Sequence, residues 1–159
     1  MEKFVFDTNV LIDLKYFNPH IFISLWQNIY NLIEEDKIYS VSEVQLELSK
    51  SEDFLHEKWK QIDVDYEFFV DLSEKENSDE YWDAMGQLDS FEVFQRHGEN
   101  KQLWADPYLI AASMVDGDTV VTNETMNRDK QRKIPYVCQE LNIPCMTFDD
   151  FMIHQGWEW

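Results

Sequence analysis

Short apolar runs that end at polar residues alternate with longer stretches of helical spacing along most of this chain. The first run, Phe4-Val5-Phe6, favours β-structure and stops at an acid, Asp7. Four such runs are predicted to be strands: 3–7, 37–41, 119–122 and 145–148. Because helical stretches separate the strands, the pattern predicts an α/β fold with a mostly parallel sheet.

Two helices carry clear start signals. Ser42 is predicted to cap a helix, with Gln45 three residues on as in a capping box. Asp106 is predicted to cap another, with Pro107 at its first position and Gly117 as its stop. Further helices are predicted from 10 to 14, from 21 to 35, as two or three segments within 51–99 around a loop at 75–78, from 135 to about 142, and from 149 onward.

Size and composition favour one soluble domain spanning 1–159. The chain has 159 residues, 44% of them hydrophobic, which suffices for a core. No apolar run approaches the roughly 20 residues of a membrane span, and an acid at position 7 comes too early for a signal peptide. Cys138 and Cys145 have no metal-type spacing and are expected to be reduced thiols. The predicted location is the cytoplasm.

Four acids from distant parts of the chain are candidates for one site. In parallel sheets, ligands bind beyond the carboxyl ends of the strands. Asp7 ends the first strand, and Glu124 closely follows the strand that ends at 122. Asp106 begins a helix, and Glu47 lies on the helix after the second strand. We therefore expect these four carboxylates to converge at one edge of the sheet.

Such a cluster suits a hard divalent cation. Neighbouring carboxylates resist ionisation, and a bound cation removes that penalty. Oxygen-only ligands suit Mg²⁺ or Mn²⁺, which can polarise a phosphoryl oxygen and activate a water for in-line attack. Asn9 is expected to hold a carboxylate or a water through its amide, and Thr122 through its hydroxyl. The residues predict a metal-dependent phosphodiesterase site.

The net charge of −19 contrasts with the basic footprint that is usual in nucleic-acid binders. A metal ion supplies local positive charge that a residue count omits. The few basic residues are also unevenly distributed, and four of them fall within six positions: Arg128, Lys130, Arg132 and Lys133. We expect this basic cluster to contact the phosphates of the substrate beside the metal site.

Four sequence blocks resemble those of PIN-domain (VapC-like) nucleases. The first, Phe4-Val5-Phe6-Asp7-Thr8-Asn9, resembles the strand followed by Asp-Thr-Asn that opens those proteins. The other blocks follow in the family's order: Val44-Gln45-Leu46-Glu47-Leu48, Ala105-Asp106-Pro107-Tyr108-Leu109-Ile110-Ala111-Ala112 and Val120-Val121-Thr122-Asn123-Glu124. The stretch 133–138 also resembles a small bacterial PIN-like subfamily of unassigned function.

This resemblance implies a three-layer α/β/α sandwich and a Mg²⁺- or Mn²⁺-dependent ribonuclease, often the toxin of a toxin–antitoxin pair. Carried over by position, Asp7, Glu47, Asp106 and Glu124 would be the catalytic, metal-binding acids. It also implies an RNA substrate, a cognate antitoxin as partner and a homodimer. One departure is Glu124, where many members have Asp.

Two other functions fit parts of the sequence. A phosphatase of the haloacid dehalogenase kind also begins with a strand ending in Asp, but it needs a second Asp where this chain has Asn9. Trapping an aspartyl-phosphate on Asp7 would support it. A non-catalytic PIN-like interaction domain is the other alternative, suggested by the negative charge and the aromatic tail Trp157-Glu158-Trp159.

Overall fold

The computed structural model describes residues 2–50, 54–91, 94, 105–124 and 134–158. The described strands form one sheet in the order β3-β2-β1-β4-β5, and every neighbouring pair is parallel. Their bounds are β1 Phe4–Phe6, β2 Ile38–Val41, β3 Phe69–Val70, β4 Thr119–Val121 and β5 Cys145–Met146. The prediction of an α/β fold with a mostly parallel sheet is confirmed.

Helices connect successive strands. Their bounds are α1 Thr8–Asp13, α2 Ile23–Glu34, α3 Ser42–Leu48, α4 Phe54–Tyr66, α5 Ser78–Leu88, α6 Asp106–Asp116, α7 Ile134–Leu141 and α8 Phe148–His154, with 3-10 turns at Leu14–Tyr16 and Leu72–Glu74. Strand order runs one way from β1 to β3 and the other way from β4 to β5. Because β-α-β connections are right-handed, that reversal places helices on both faces of the sheet. The three-layer α/β/α architecture is confirmed.

Aromatic packing joins β1 to the last helix. Phe4 and Phe6 point to the same face of the sheet, as alternate residues of a strand do. Their rings meet Phe151 of α8 edge to face, with centroids 4.9 and 5.1 Å away, and Trp157 covers Phe151 at 5.6 Å. Part of the aromatic tail therefore packs onto the body of the domain. None of the helices in the described part of the chain has the length and apolarity of a membrane span.

Two predicted helix starts are wrong by one residue. Ser42 is the first residue of α3 and makes no capping bond, because the helix leaves β2 directly from the extended backbone of Val41. Likewise Ala105 occupies the cap position of α6, and Asp106 lies inside its first turn. The carboxylate of Asp106 is therefore not used as a helix cap.

Strand β3 was not predicted. It has only two residues, too few for a periodic pattern, and it exists through pairing of Phe69 and Val70 with Ser40 and Val41 of β2. Two of the helices predicted within 51–99 are present, as α4 and α5, with the expected loop between 75 and 78. A third helix would involve residues 92–99, which apart from Phe94 lie outside the described residues.

Alanine substitutions at two glycines are expected to change the free energy of unfolding in opposite directions. Gly117 ends α6 with a φ of +75°, where a Cβ is strained, whereas Gly86 lies in α5 with open space around a built Cβ. We expect Gly117→Ala to lower the free energy of unfolding by about 1–2 kcal/mol. Gly86→Ala should raise it by about 1 kcal/mol, the usual gain from alanine in a helix. Urea denaturation measures both, and shifts of the same sign would contradict this assignment of α5 and α6.

Candidate active site

Asp7 lies where the strand order reverses, between the carboxyl ends of β1 and β4. Its side chain is 3% exposed. One carboxylate oxygen accepts the backbone N–H of Thr8 at 2.7 Å, and the other accepts the hydroxyl of Thr122 at 2.8 Å. The backbone N–H of Asp7 donates to the carbonyl of Val121 at 2.9 Å. Ligand sites in parallel α/β sheets occur at this switch point.

Thr122 and Asn9 organise the loop that follows β4. The hydroxyl oxygen of Thr122 accepts the backbone N–H of Glu124 at 3.2 Å and the amide of Asn9 at 3.3 Å. The side-chain oxygen of Asn9 accepts the backbone N–H of Asn123 at 3.0 Å. Thr122 thus contacts an acid directly, while Asn9 contacts the loop that carries Glu124.

Glu47 reaches the same region from α3. One of its carboxylate oxygens accepts the hydroxyl of Thr8, and the other accepts the backbone N–H of Ala105 at 2.9 Å. Thr8 therefore contacts two acids, Asp7 through its N–H and Glu47 through its hydroxyl. Glu124 is held in a comparable way, because its carboxylate accepts the backbone N–H of Ile134, the first residue of α7, at 2.9 Å.

Asp106 differs from the other three acids in its surroundings. It is half-buried at the start of α6. No hydrogen bond from the described residues lowers its pKa. Burial raises the pKa of this carboxyl well above 3.8, and the negative charges of Asp7, Glu124 and Glu47 raise it further. The Asp106 carboxylate therefore lies in the combined negative field of the other three.

Burial and neighbouring negative charges also raise the pKa of Asp7. Burial is the largest cause that raises its pKa, from 3.8 to about 7, and the charges of Glu124 and Glu47 add to it. The hydrogen bonds from Thr122 and Thr8 oppose the rise in pKa only in part. None of the described lysines forms an ion pair with any of the four carboxylates. The negative charge at this sheet edge is uncompensated by side chains of the described residues.

The donor set suits a hard cation, although the side chains are not arranged around one. As they stand, no three Asp, Glu, His or Cys side chains within the described ranges are grouped closely enough to hold an ion. The hydrogen bonds explain part of this, since Glu47 and Glu124 each direct carboxylate oxygens at backbone N–H donors. Metal binding would require at least some of these carboxylates to turn toward Asp7 and Asp106.

Several contacts at the site were not predicted from sequence. Thr8 stands in the quoted Asp-Thr-Asn motif, but its bond to Glu47 joins residues 39 positions apart. Asn123 also bonds across the fold, to Asp13 and to Phe148. Ala105 and Ile134 contribute only backbone N–H groups, which carry no residue-type signal. The basic cluster of Arg128, Lys130, Arg132 and Lys133 lies outside the described residues.

The two cysteines are unbridged. Cys138 on α7 is buried and Cys145 on β5 is partly buried. A hydrogen bond with Cys145, together with burial, raises the pKa of the Cys138 thiol, and the same bond lowers the pKa of Cys145. The pair joins α7 to β5.

A second polar region lies at the amino end of the sheet, away from the four acids. The Tyr39 hydroxyl donates to Asp118, which precedes β4, at 2.6 Å, and burial raises the pKa of both groups. This pair lines a cavity of about 420 Å³. Two of the carboxylates that line this cavity have a cation partner, since Lys3 pairs with Asp36 at 2.6 Å and Lys75 with Asp116 at 3.4 Å.

The parallel sheet with helices on both faces defines a three-layer α/β/α domain with carboxylates at its switch point. The chain belongs to the family described as "Domain of unknown function (DUF4411)", whose model matches residues 4–159. No curated protein matches the sequence. Among solved structures, it is similar to a chain of "Crystal structure of VapBC2 from Rickettsia felis bound to a DNA fragment from their promoter". The identity is 21%, over 91% of this chain and 97% of that one, with a TM-score of 0.49.

Proposed function

We propose that this chain is a metal-dependent endoribonuclease that hydrolyses RNA phosphodiesters with a metal-activated water. The observation that carries the proposal is the negative field at the switch point, which no lysine of the described residues compensates. Asp106 and Asp7 both have raised pKa values, and in each case the charges of Glu47 and Glu124 contribute to the rise. A divalent cation is the simplest partner for such a group of oxygen ligands.

The carboxylates proposed to hold Mg²⁺ or Mn²⁺ are those of Asp7, Glu47, Asp106 and Glu124. When bound, the ion would polarise a phosphoryl oxygen and lower the pKa of a water at neutral pH. The side chains supply the rest. Thr122 keeps one oxygen of Asp7 oriented, and Thr8 and the Ala105 N–H hold Glu47 next to the start of α6. In this role Asn9 and Thr122 are supporting groups that position the acids.

Metal binding at this site is expected to release protons from its carboxyl groups. With a pKa of about 7, Asp7 is partly protonated near neutral pH in the metal-free protein. Coordination requires deprotonated ligands, so loading the site would release protons from Asp7 and Asp106. Apparent metal affinity should therefore rise with pH through this range.

The basic cluster of Arg128, Lys130, Arg132 and Lys133 is proposed to contact the RNA backbone. It lies in sequence between Glu124 and α7, whose first N–H contacts Glu124. Affinity for a single strand falls with salt at a log–log slope of roughly −0.7 per phosphate contact. Changing Arg128, Lys130 and Arg132 to Ala should flatten that slope by about two units. An unchanged slope in a binding titration would show that these three residues do not contact RNA phosphates.

The sequence resemblance further supports a toxin of a toxin–antitoxin pair, acting as a homodimer that a cognate antitoxin controls. The identity of the neighbouring gene tests this toxin–antitoxin arrangement directly. A small DNA-binding protein encoded immediately upstream would support this arrangement. If no such gene is adjacent, a solitary nuclease or a binding domain is favoured instead.

The deciding experiment is cleavage of single-stranded RNA by the purified chain, with Mg²⁺ or Mn²⁺ added and then removed by a chelator. We expect internal cleavage that needs the metal and stops on chelation. Folded protein that binds Mn²⁺ but cuts no RNA, across varied sequences, would overturn the nuclease and favour the non-catalytic interaction domain.

A further inference from the structure

Asn123 connects its own loop to α1 and α8, which are far from it in the sequence. Its side-chain N–H donates to the carboxylate of Asp13, at the end of α1, at 2.8 Å. Its side-chain oxygen accepts the backbone N–H of Phe148, the first residue of α8, at 3.1 Å. Its own backbone N–H donates to Asn9 at 3.0 Å. We propose that Asn123 is a positioning residue that holds the loop carrying Glu124 in place for metal binding.

The chemistry of the carboxamide explains why asparagine suits this position. The group offers a donor and an acceptor in one plane, and the two neighbours need one of each. Asp13 is acceptor-only when ionised, and the N–H of Phe148 is donor-only. A carboxylate at 123 would satisfy Phe148 but would face Asp13 without a donor. A smaller side chain would leave both neighbours unpaired.

The position of Glu124 depends on the hydrogen bonds of Asn123 because Glu124 is the next residue in the chain. Its backbone N–H is bound by Thr122 on one side, and its carboxylate is held by the N–H of Ile134 on the other. Loosening Asn123 would let the loop shift relative to α1 and α8. A small displacement of a ligand-bearing loop is costly because groups that orient metal ligands typically change metal affinity by about 10–100-fold when mutated.

The inference rests on the proposed metal site, and the test uses Mn²⁺ alone with the full chain. Asn123→Asp should weaken Mn²⁺ binding by about 10-fold or more. Adding Asp13→Asn to it restores a donor and an acceptor across the same pair and returns the net charge to that of the wild type. The double variant should recover most of the lost affinity. Asp13→Asn alone keeps an acceptor for Asn123 and controls for the charge change.

Tyr39→Phe is the control for stability, since it removes one buried hydrogen bond at the amino end of the sheet. It should lower stability and leave the Mn²⁺ affinity of the folded protein unchanged. Mn²⁺ binding is followed by the electron paramagnetic resonance of the free ion, and folding by circular dichroism. Hydrogen exchange at the Glu124 amide reports the loop without metal, and it should speed up in Asn123→Asp and slow again in the double variant. If Asn123→Asp does not fold, Asn123→Ala replaces it in both measurements.

The outcomes separate two failures. A wild-type chain that binds no Mn²⁺ overturns the proposed metal site, while exchange at Glu124 still decides whether Asn123 positions the loop. Wild-type affinity and exchange in Asn123→Asp, or an equal loss of affinity in Tyr39→Phe, would overturn the positioning role.

Discussion

Asp7→Asn is expected to abolish metal-dependent RNA cleavage while leaving the chain folded. Asparagine keeps the size of the side chain and an oxygen for the N–H of Thr8, but it removes the charge from the centre of the proposed ligand set. Metal-assisted stabilisation of a phosphoryl transition state is worth several kcal/mol. At about 1.4 kcal/mol per tenfold, a loss of about 4 kcal/mol corresponds to a rate reduction of about 1,000-fold.

Asp106→Asn should have a similar effect, because no hydrogen bond from the described residues competes with a cation for this carboxylate. The matched control is Asp118→Asn. Asp118 is also a buried acid with a raised pKa, but it lies at the opposite end of the sheet and accepts the Tyr39 hydroxyl. This control should cleave RNA at the wild-type rate when both are folded. Rates are compared at saturating RNA and metal, and cleavage by Asp7→Asn at the wild-type rate would assign the activity to another site or protein.

The second large effect concerns stability without metal. A pKa for Asp7 raised from 3.8 to about 7 means that the folded protein holds a proton that the unfolded chain has lost between those pH values. Stability from this group is therefore complete below about pH 4 and decreases as pH rises to about 7. At about 1.4 kcal/mol per pH unit over about three units, the penalty for ionised Asp7 reaches at most about 4 kcal/mol.

Asp7→Asn removes that penalty. With chelator present, we expect the variant to exceed the wild type in free energy of unfolding by up to about 4 kcal/mol at pH 8, and to show no such advantage at pH 4. Urea denaturation at both pH values measures the difference. Saturating Mn²⁺ should reverse the order at pH 8, because the ion stabilises only a protein that binds it. A gain that is equal at pH 4 and pH 8 would refute the link to Asp7 ionisation.

These two predictions describe the same trade-off. Asp7 and Asp106 destabilise the metal-free fold when ionised, because burial first and the charges of the neighbouring acids second raise their pKa values. The arrangement persists because the rest of the domain is well packed, with Phe6, Val10 and Leu11 fully buried around Asp7. A site that costs stability when empty and gains it on ligand binding is typical of function.

Most of the secondary structure follows from local chemistry, and the sequence by itself determined it. Phe4-Val5-Phe6 favours a strand wherever it is buried, and Gly117 ends a helix because it adopts a positive φ without strain. The alternation of such elements is enough to specify a parallel α/β sheet. The order of the acids along the chain also marked Asp7 and Glu124 as neighbours, because each follows a strand and parallel strands end at the same edge.

Other features depend on which elements meet in space, and only the tertiary structure decided them. Strand β3 exists because β2 offers it a partner, and its two residues carry no signal of their own. Local propensity predicted Asp106 as a helix cap, yet Ala105 occupies the cap position of α6 and Asp106 lies in the field of three other acids. The supports for Glu47 and Glu124 come largely from backbone N–H groups that every residue except proline has. Residue type therefore predicts the acids, whereas the orientation of their oxygens depends on contacts between distant segments.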